Sequence, residues 1–160
     1  MDALVFRDSF VKPALQAMNR WSLPAEMLLM GTAAQESHLI YTRQLGGGPA
    51  LGYFQMEPAT HDDCWTNYID YRASLRSLIL SIRTATGTPQ ASEMETDHKY
   101  AAAMCRVRYL RAPASLPSSA RDLAAYWKLY YNTPLGAGSV SEFISNWNIY
   151  LAPAPYDAIS

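Results

Sequence analysis

Residues 42–55, TRQLGGGPALGYFQ, hold four glycines and a proline, a concentration of chain-breaking residues found nowhere else in the 160-residue chain. Glycine pays the largest backbone entropy cost on ordering, and proline removes a backbone donor, so no regular helix runs through this stretch. It reads as a loop or a short, irregular hairpin. On both sides of it, apolar residues recur at helical spacing. The first segment, about 2–20, carries Leu4, Phe10, Val11, Ala14 and Met18, with Pro13 threatening a kink or break. Ser22 is placed to cap a second helix that has Pro24 in its first turn and continues to about residue 38. Further helices are expected over about 58–68, 71–85, 98–111, 119–131 and 140–151. The third of these seven is short, and the fourth has Leu75, Leu78, Ile79 and Ile82 on one stripe. Residues 86–97 read as an exposed connection. The expectation is a mainly α fold, α+β at most: a helical domain spanning 1–160 with one Gly-rich irregular segment. At this length one core forms without staples, since roughly 68–70% of the unfolded surface is removed from water.

Charge narrows the partners. Thirteen basic against 14 acidic residues give a net charge of −1, which supplies no concentrated positive field for nucleic acid. The densest basic group, Arg106, Arg108 and Arg111, reads as solvated surface. Cys64 and Cys105 leave open one bridge or two reduced thiols, and a chain start without an apolar export segment favours the thiols. No run approaches eighteen apolar residues, so no membrane span is expected. The chain is expected to be made in a cytoplasm without a signal peptide and carried elsewhere if it acts outside. Aromatic residues, including eleven Tyr and four Trp, suit a helical core more often than a sugar-binding groove.

The chemistry concentrates in residues 31–60. Glu36 follows Ala33, Thr32 and Leu29 by three, four and seven positions, so its carboxyl continues a face that is otherwise small or apolar. It also sits in the last helical turn, where backbone carbonyls present negative charge. Both conditions disfavour the ionised form and raise the pKa. After the glycines come Tyr53 and Phe54 and then Gln55, nineteen residues beyond Glu36. An amide can read sugar hydroxyls, and a tyrosine ring can lie against a pyranose. A glutamate at a helix end is usually solvated surface, and a Gly-rich loop alone is only a loop. Their combination is what carries information.

That combination, E-S, an irregular segment, G-x-x-Q and then M-x-P-A-T, resembles the signature of soluble lytic transglycosylases and goose-type lysozymes in the lysozyme superfamily. The residues that carry the resemblance are Glu36, Ser37, Gly52, Tyr53, Phe54, Gln55, Pro58 and Thr60, with weaker echoes at Tyr109-Leu110 and Tyr131-Asn132. The resemblance implies a lysozyme-like helical domain that cleaves peptidoglycan, with Glu36 as catalytic acid and base. It further implies substrate contacts from Gln55, Tyr53, Tyr131, Ser37 and Asn132, with no cofactor and no metal. Ala102, Arg106 and Thr133-Pro134 depart from the family's pattern. A wall-directed fold without an export segment suggests a bacteriophage origin, with virion proteins as partners and the bacterial cell wall as the place of action.

In the ring-closing route one acid suffices, while a hydrolytic muramidase positions water with a second. Glu57, Asp62 and Asp63 are the candidates, although each also suits the start of the helix near Pro58. Two rival readings stand beside these. One is a virion structural protein that keeps the shape without the activity, for which Trp147, Tyr150 and Tyr156 offer an interface or more core. The other is a metal-dependent hydrolase built on His61, Asp62, Asp63, Cys64, Asp97 and His98, whose spacing matches no usual zinc pattern. His38 reads as a cation complementing the end of its helix.

Overall fold

The computed structural model describes all residues 1–160 and consists of seven helices with no sheet. The first, α1, is one rod assembled from Ala3–Phe6, a π-helical stretch Arg7–Val11 and Lys12–Ala17. Pro13 does not end it. The Lys12 N–H reaches back five residues to the Arg7 carbonyl, so the wide turn lies immediately before the proline.

Helix α2, Leu23–Ser37, starts as its sequence predicts: the Ser22 hydroxyl accepts from the Ala25 N–H, and Pro24 sits in the first turn. Ten of its fifteen residues are buried, which makes it a central helix without a solvent face. It packs against α5 (His98–Leu110), α6 (Ala120–Trp127) and α7 (Val140–Tyr150). Gly31 lets α7 approach, since a Cβ there would lie 2.3 Å from the Phe143 ring. Thr32 donates to the Leu28 carbonyl, so the Tyr109 hydroxyl of α5, 2.7 Å away, donates to Thr32.

Helices α3 (Pro58–Asn67) and α4 (Ala73–Ile82) lie against the other side of α5. The α4 helix is shorter than the expected 71–85. Tyr71 belongs to a separate 3-10 turn, Ile69–Tyr71. Arg83 leaves the helix in an extended conformation, forks onto Glu93 and donates to the Gly87 carbonyl. The connection 86–97 is exposed over much of its length, as expected, but its 3-10 turn Ala91–Glu95 buries Met94 in the core.

The Gly-rich segment is the irregular hairpin expected. Single antiparallel bridges join Arg43 to Leu51 and Leu51 to Met56. Gly52 is required at its position: φ is +74°, and a Cβ would fall 2.4 Å from the Met94 carbonyl oxygen. One contiguous core draws on every helix; Phe143 and Trp147 belong to it and Tyr150 packs against it, as the spacing of α7 predicts, and Tyr156 stacks on Trp147 from beyond the helix. Cys64 and Cys105 are both buried and unbridged.

Candidate active site

The last turn of α2 opens onto a cavity of about 510 Å³. The Gly-rich hairpin forms one wall, and α5 with the extension of α6 forms the other. That extension is a second π-helical stretch, Lys128–Asn132, ended by Thr133 at φ +72°. Wide turns of this kind re-aim side chains, and here the turn carries Tyr131 and Asn132 to the rim.

Glu36 lines this cavity and is half-buried. Its neighbours on the helix face, Leu29, Thr32 and Ala33, are fully buried. Desolvation pushes its carboxyl up to about 7, against the opposing pull of a hydrogen bond from Trp127 and the charge of Arg108. The buried Trp127 indole donates to Glu36 Oε1 at 2.9 Å. Oε1 is therefore held as an acceptor, which leaves Oε2 as the oxygen that carries a proton.

The other residues expected at the site divide. Gln55 lines the cavity from the hairpin, in a left-handed conformation at φ +49°, with its Nε2 donating to the Gly52 carbonyl at 2.8 Å. Its side-chain oxygen stays available. Asn132 lines the cavity as well, its Oδ1 accepting from Lys128 at 2.6 Å. Ser37 is at the wall but buried, and its hydroxyl proton is committed to the Ala33 carbonyl. It cannot also donate to a ligand, which corrects its expected role. Tyr131 is buried too, with its hydroxyl donating to the Phe54 carbonyl at 2.6 Å. It ties α6 to the hairpin and so positions the backbone beside Gln55.

Tyr53 is not at the cavity. It is buried edge-on to Phe6, 5.1 Å away, and beside His98 at 4.8 Å. The turn at Gly52 sends both following aromatics into the core, so the expected contact between Tyr53 and a sugar is withdrawn. The arginines need correction as well. Arg106 is 8% exposed with its Nε unpartnered, and Arg108 is half-buried over the Tyr131 ring at 4.3 Å, donating to the Tyr131 carbonyl. Only Arg111 is the solvated residue expected of the three.

Among the candidate second acids, Glu57 alone lines the cavity, exposed at the start of α3. Asp62 lies against His61, and Asp63 takes Asn67 and Arg111. The residues considered for a metal are spent elsewhere. Trp65 donates to the Tyr100 hydroxyl, which donates to His61 Nε2, and His61 Nδ1–H faces Asp62 at 2.8 Å. Asp97 caps α5 and holds Thr84, while His98 packs between Phe10 and Tyr53. No three His, Cys, Asp or Glu side chains gather closely enough to hold an ion.

Trp127 and the cavity-lining role of Arg108 and His38 escape the sequence reading. Trp127 lies four positions before Tyr131, on the same helical face, and that spacing was the available signal. His38 caps α2 in a left-handed conformation, stacks on Tyr150 at 5.2 Å and lines the cavity. Comparison with known protein families, with curated proteins and with solved structures finds no match to this chain.

Proposed function

We propose that the protein cleaves the β-1,4 bond between N-acetylmuramic acid and N-acetylglucosamine in peptidoglycan, as a lytic transglycosylase with Glu36 as acid and then base. The observation that carries this reading is a carboxyl group raised to about 7 by burial, facing a sugar-sized cavity. A glycosidase acid needs that property: it must hold its proton near neutrality until the leaving oxygen takes it.

In this mechanism Glu36 Oε2–H gives its proton to the glycosidic oxygen as the C1–O bond breaks. The neighbouring N-acetyl group stabilises the positive charge left at C1. Ionised Glu36 then removes the proton from the sugar's C6 hydroxyl, and O6 bonds to C1, closing a 1,6-anhydro ring. Glu36 ends as it began, protonated. Trp127 holds Oε1 throughout, which fixes the carboxyl plane. Gln55 and Asn132 offer amide groups to sugar hydroxyls or to the N-acetyl group.

Glu57 at the same cavity favours one second reading, a hydrolytic muramidase in which Glu57 orients water. Mass spectrometry of the fragments released from purified murein separates the two. Anhydro ends, one water lighter, are expected. Reducing ends transfer the reading to the hydrolase, and no released fragments at all overturn it in favour of a structural role. The place of action in either enzymatic case is the bacterial wall. No helix of the chain is long and apolar enough to cross a membrane.

A further inference from the structure

Arg106 lies two positions before Arg108, about 200° round α5 from the residue that lines the candidate active site. There it buries a guanidinium that nothing in the chain neutralises. The residue is 8% exposed, its Nε is enclosed without an acceptor, and none of the chain's ion pairs includes it. Only Nε is sealed in, so the two terminal nitrogens keep a path to the surface. Burial lowers its pKa. Of the groups that act on it most strongly besides, Tyr126, Cys105, Arg20 and Tyr68, only Arg20 is charged at neutral pH, and with the same sign.

Two further cations without carboxylate partners flank it. Arg20, just past the end of α1, is exposed and donates to the adjacent Asn19 carbonyl. Arg72, just before α4, is exposed, lies over the Tyr68 ring at 3.6 Å and donates to the Tyr68 carbonyl at 3.0 Å. The packing of α1, α4 and α5 on one another brings the three arginines to one side of the molecule. The acids of this neighbourhood are spent, Asp70 on Arg76 and Asp63 on Arg111.

A buried charge without a counter-charge is strongly unfavourable, and an anion taken from solution relieves it. Guanidinium forks match the oxygens of carboxylates and phosphates. A carboxylate presents two oxygens in one plane with a single charge. A phosphate presents oxygens on several sides and carries up to two charges, which suits donors arriving from three separate elements. We propose that Arg106, with Arg20 and Arg72, forms a binding site for a phosphate group on the face of α5 turned away from Glu36. The site is independent of the glycan-cleaving reading, and neither needs the other.

A ligand that binds only the folded state raises Tm, so the full chain is melted in chloride and in phosphate at equal ionic strength and pH 7.5. Arg106→Met and Arg20→Gln are melted alongside. Wild-type Tm is expected to rise by about 3–5 °C in about 10 mM phosphate, as a ligand at about ten times its Kd gives in a chain of this size. Arg106→Met should lose the rise, and Arg20→Gln, a surface change that leaves the core intact, should reduce it. Phosphate also favours compact states without binding, but all three proteins share that effect. Equal rises in wild type and both variants therefore overturn the site, as does no rise in wild type. Acetate raising Tm as much as phosphate overturns the choice of phosphate. Dimethyl phosphate separates the sources of the group. A response to inorganic phosphate alone assigns a free phosphate or a monoester, and a response to both assigns a phosphodiester.

Discussion

The acid at the centre of this site is set by opposing forces of different size. Burial beside Leu29, Thr32 and Ala33 raises the Glu36 carboxyl, while the Trp127 N–H and the Arg108 charge each favour its ionised form. Desolvation wins, and the carboxyl titrates at about 7. The kcat/KM for murein should therefore hold up at acid pH and fall as pH rises through about 7, where the proton-donating form is lost. Trp127→Phe removes a group that lowers the pKa, so the alkaline limb of that profile should move upward. An unmoved limb with normal folding contradicts the assignment of Trp127. Stability has its own sign. The folded pKa lies above the ordinary 4.5, so Glu36 contributes fully below pH 4.5 and loses that contribution as pH rises through about 7. At pH 8 the fold bears the cost of a half-buried carboxylate, and Glu36→Gln should be more stable than wild type by about 2 kcal/mol after allowance for partial exposure. At pH 4 the two should melt together. Equal differences at both pH values contradict the burial argument.

Two glycines decide how the elements around the site meet. Gly31 sits under the buried Phe143 ring, so Gly31→Ala forces α2 and α7 apart and should lower stability by about 1–2 kcal/mol, read as a fall in Tm. Adding Phe143→Leu to that variant should recover part of the loss. Gly52 combines a left-handed backbone with the Met94 carbonyl packed against it, so Gly52→Ala should destabilise more than Gly46→Ala. Gly46 has φ +82° with open space around it, so its alanine variant meets only the backbone cost of about 1–2 kcal/mol. Gly52→Ala should also weaken murein cleavage, because Gln55 is anchored on the Gly52 carbonyl. At this scale the sequence is readable wherever local chemistry decides the outcome. Ser22 and Pro24 start α2, and the glycines interrupt helix between α2 and α3. It is not readable where a distant partner decides. The π-helical turns left no local signal in the sequence, and α4 ends early where Arg83 finds Glu93 ten residues on.

Over the whole molecule, the site is a meeting of parts far apart in the chain: the end of α2, the hairpin, α5 and the extension of α6. Glu36 and Gln55 leave local marks in the sequence, a helical face and an amide after glycines, whereas Asn132 is reached only through the resemblance of Tyr131-Asn132 to a family element. Arg108 left none, since its stacking on Tyr131 arises only when α5 and α6 pack. Tyr53 misled because an aromatic beside a glycine loop looks alike whether it faces a cavity or, as here, Phe6 and His98. The helical core of the molecule thus serves to hold one carboxyl in poor solvent at the edge of a polar cavity. Digesting purified murein at pH 6 with wild-type protein and with Glu36→Gln in parallel tests that directly, since the amide keeps the Trp127 hydrogen bond and the fold while removing only the acid. Loss of fragment release by 10²–10⁴-fold is the predicted result. Equal release by a folded Glu36→Gln protein contradicts the assignment.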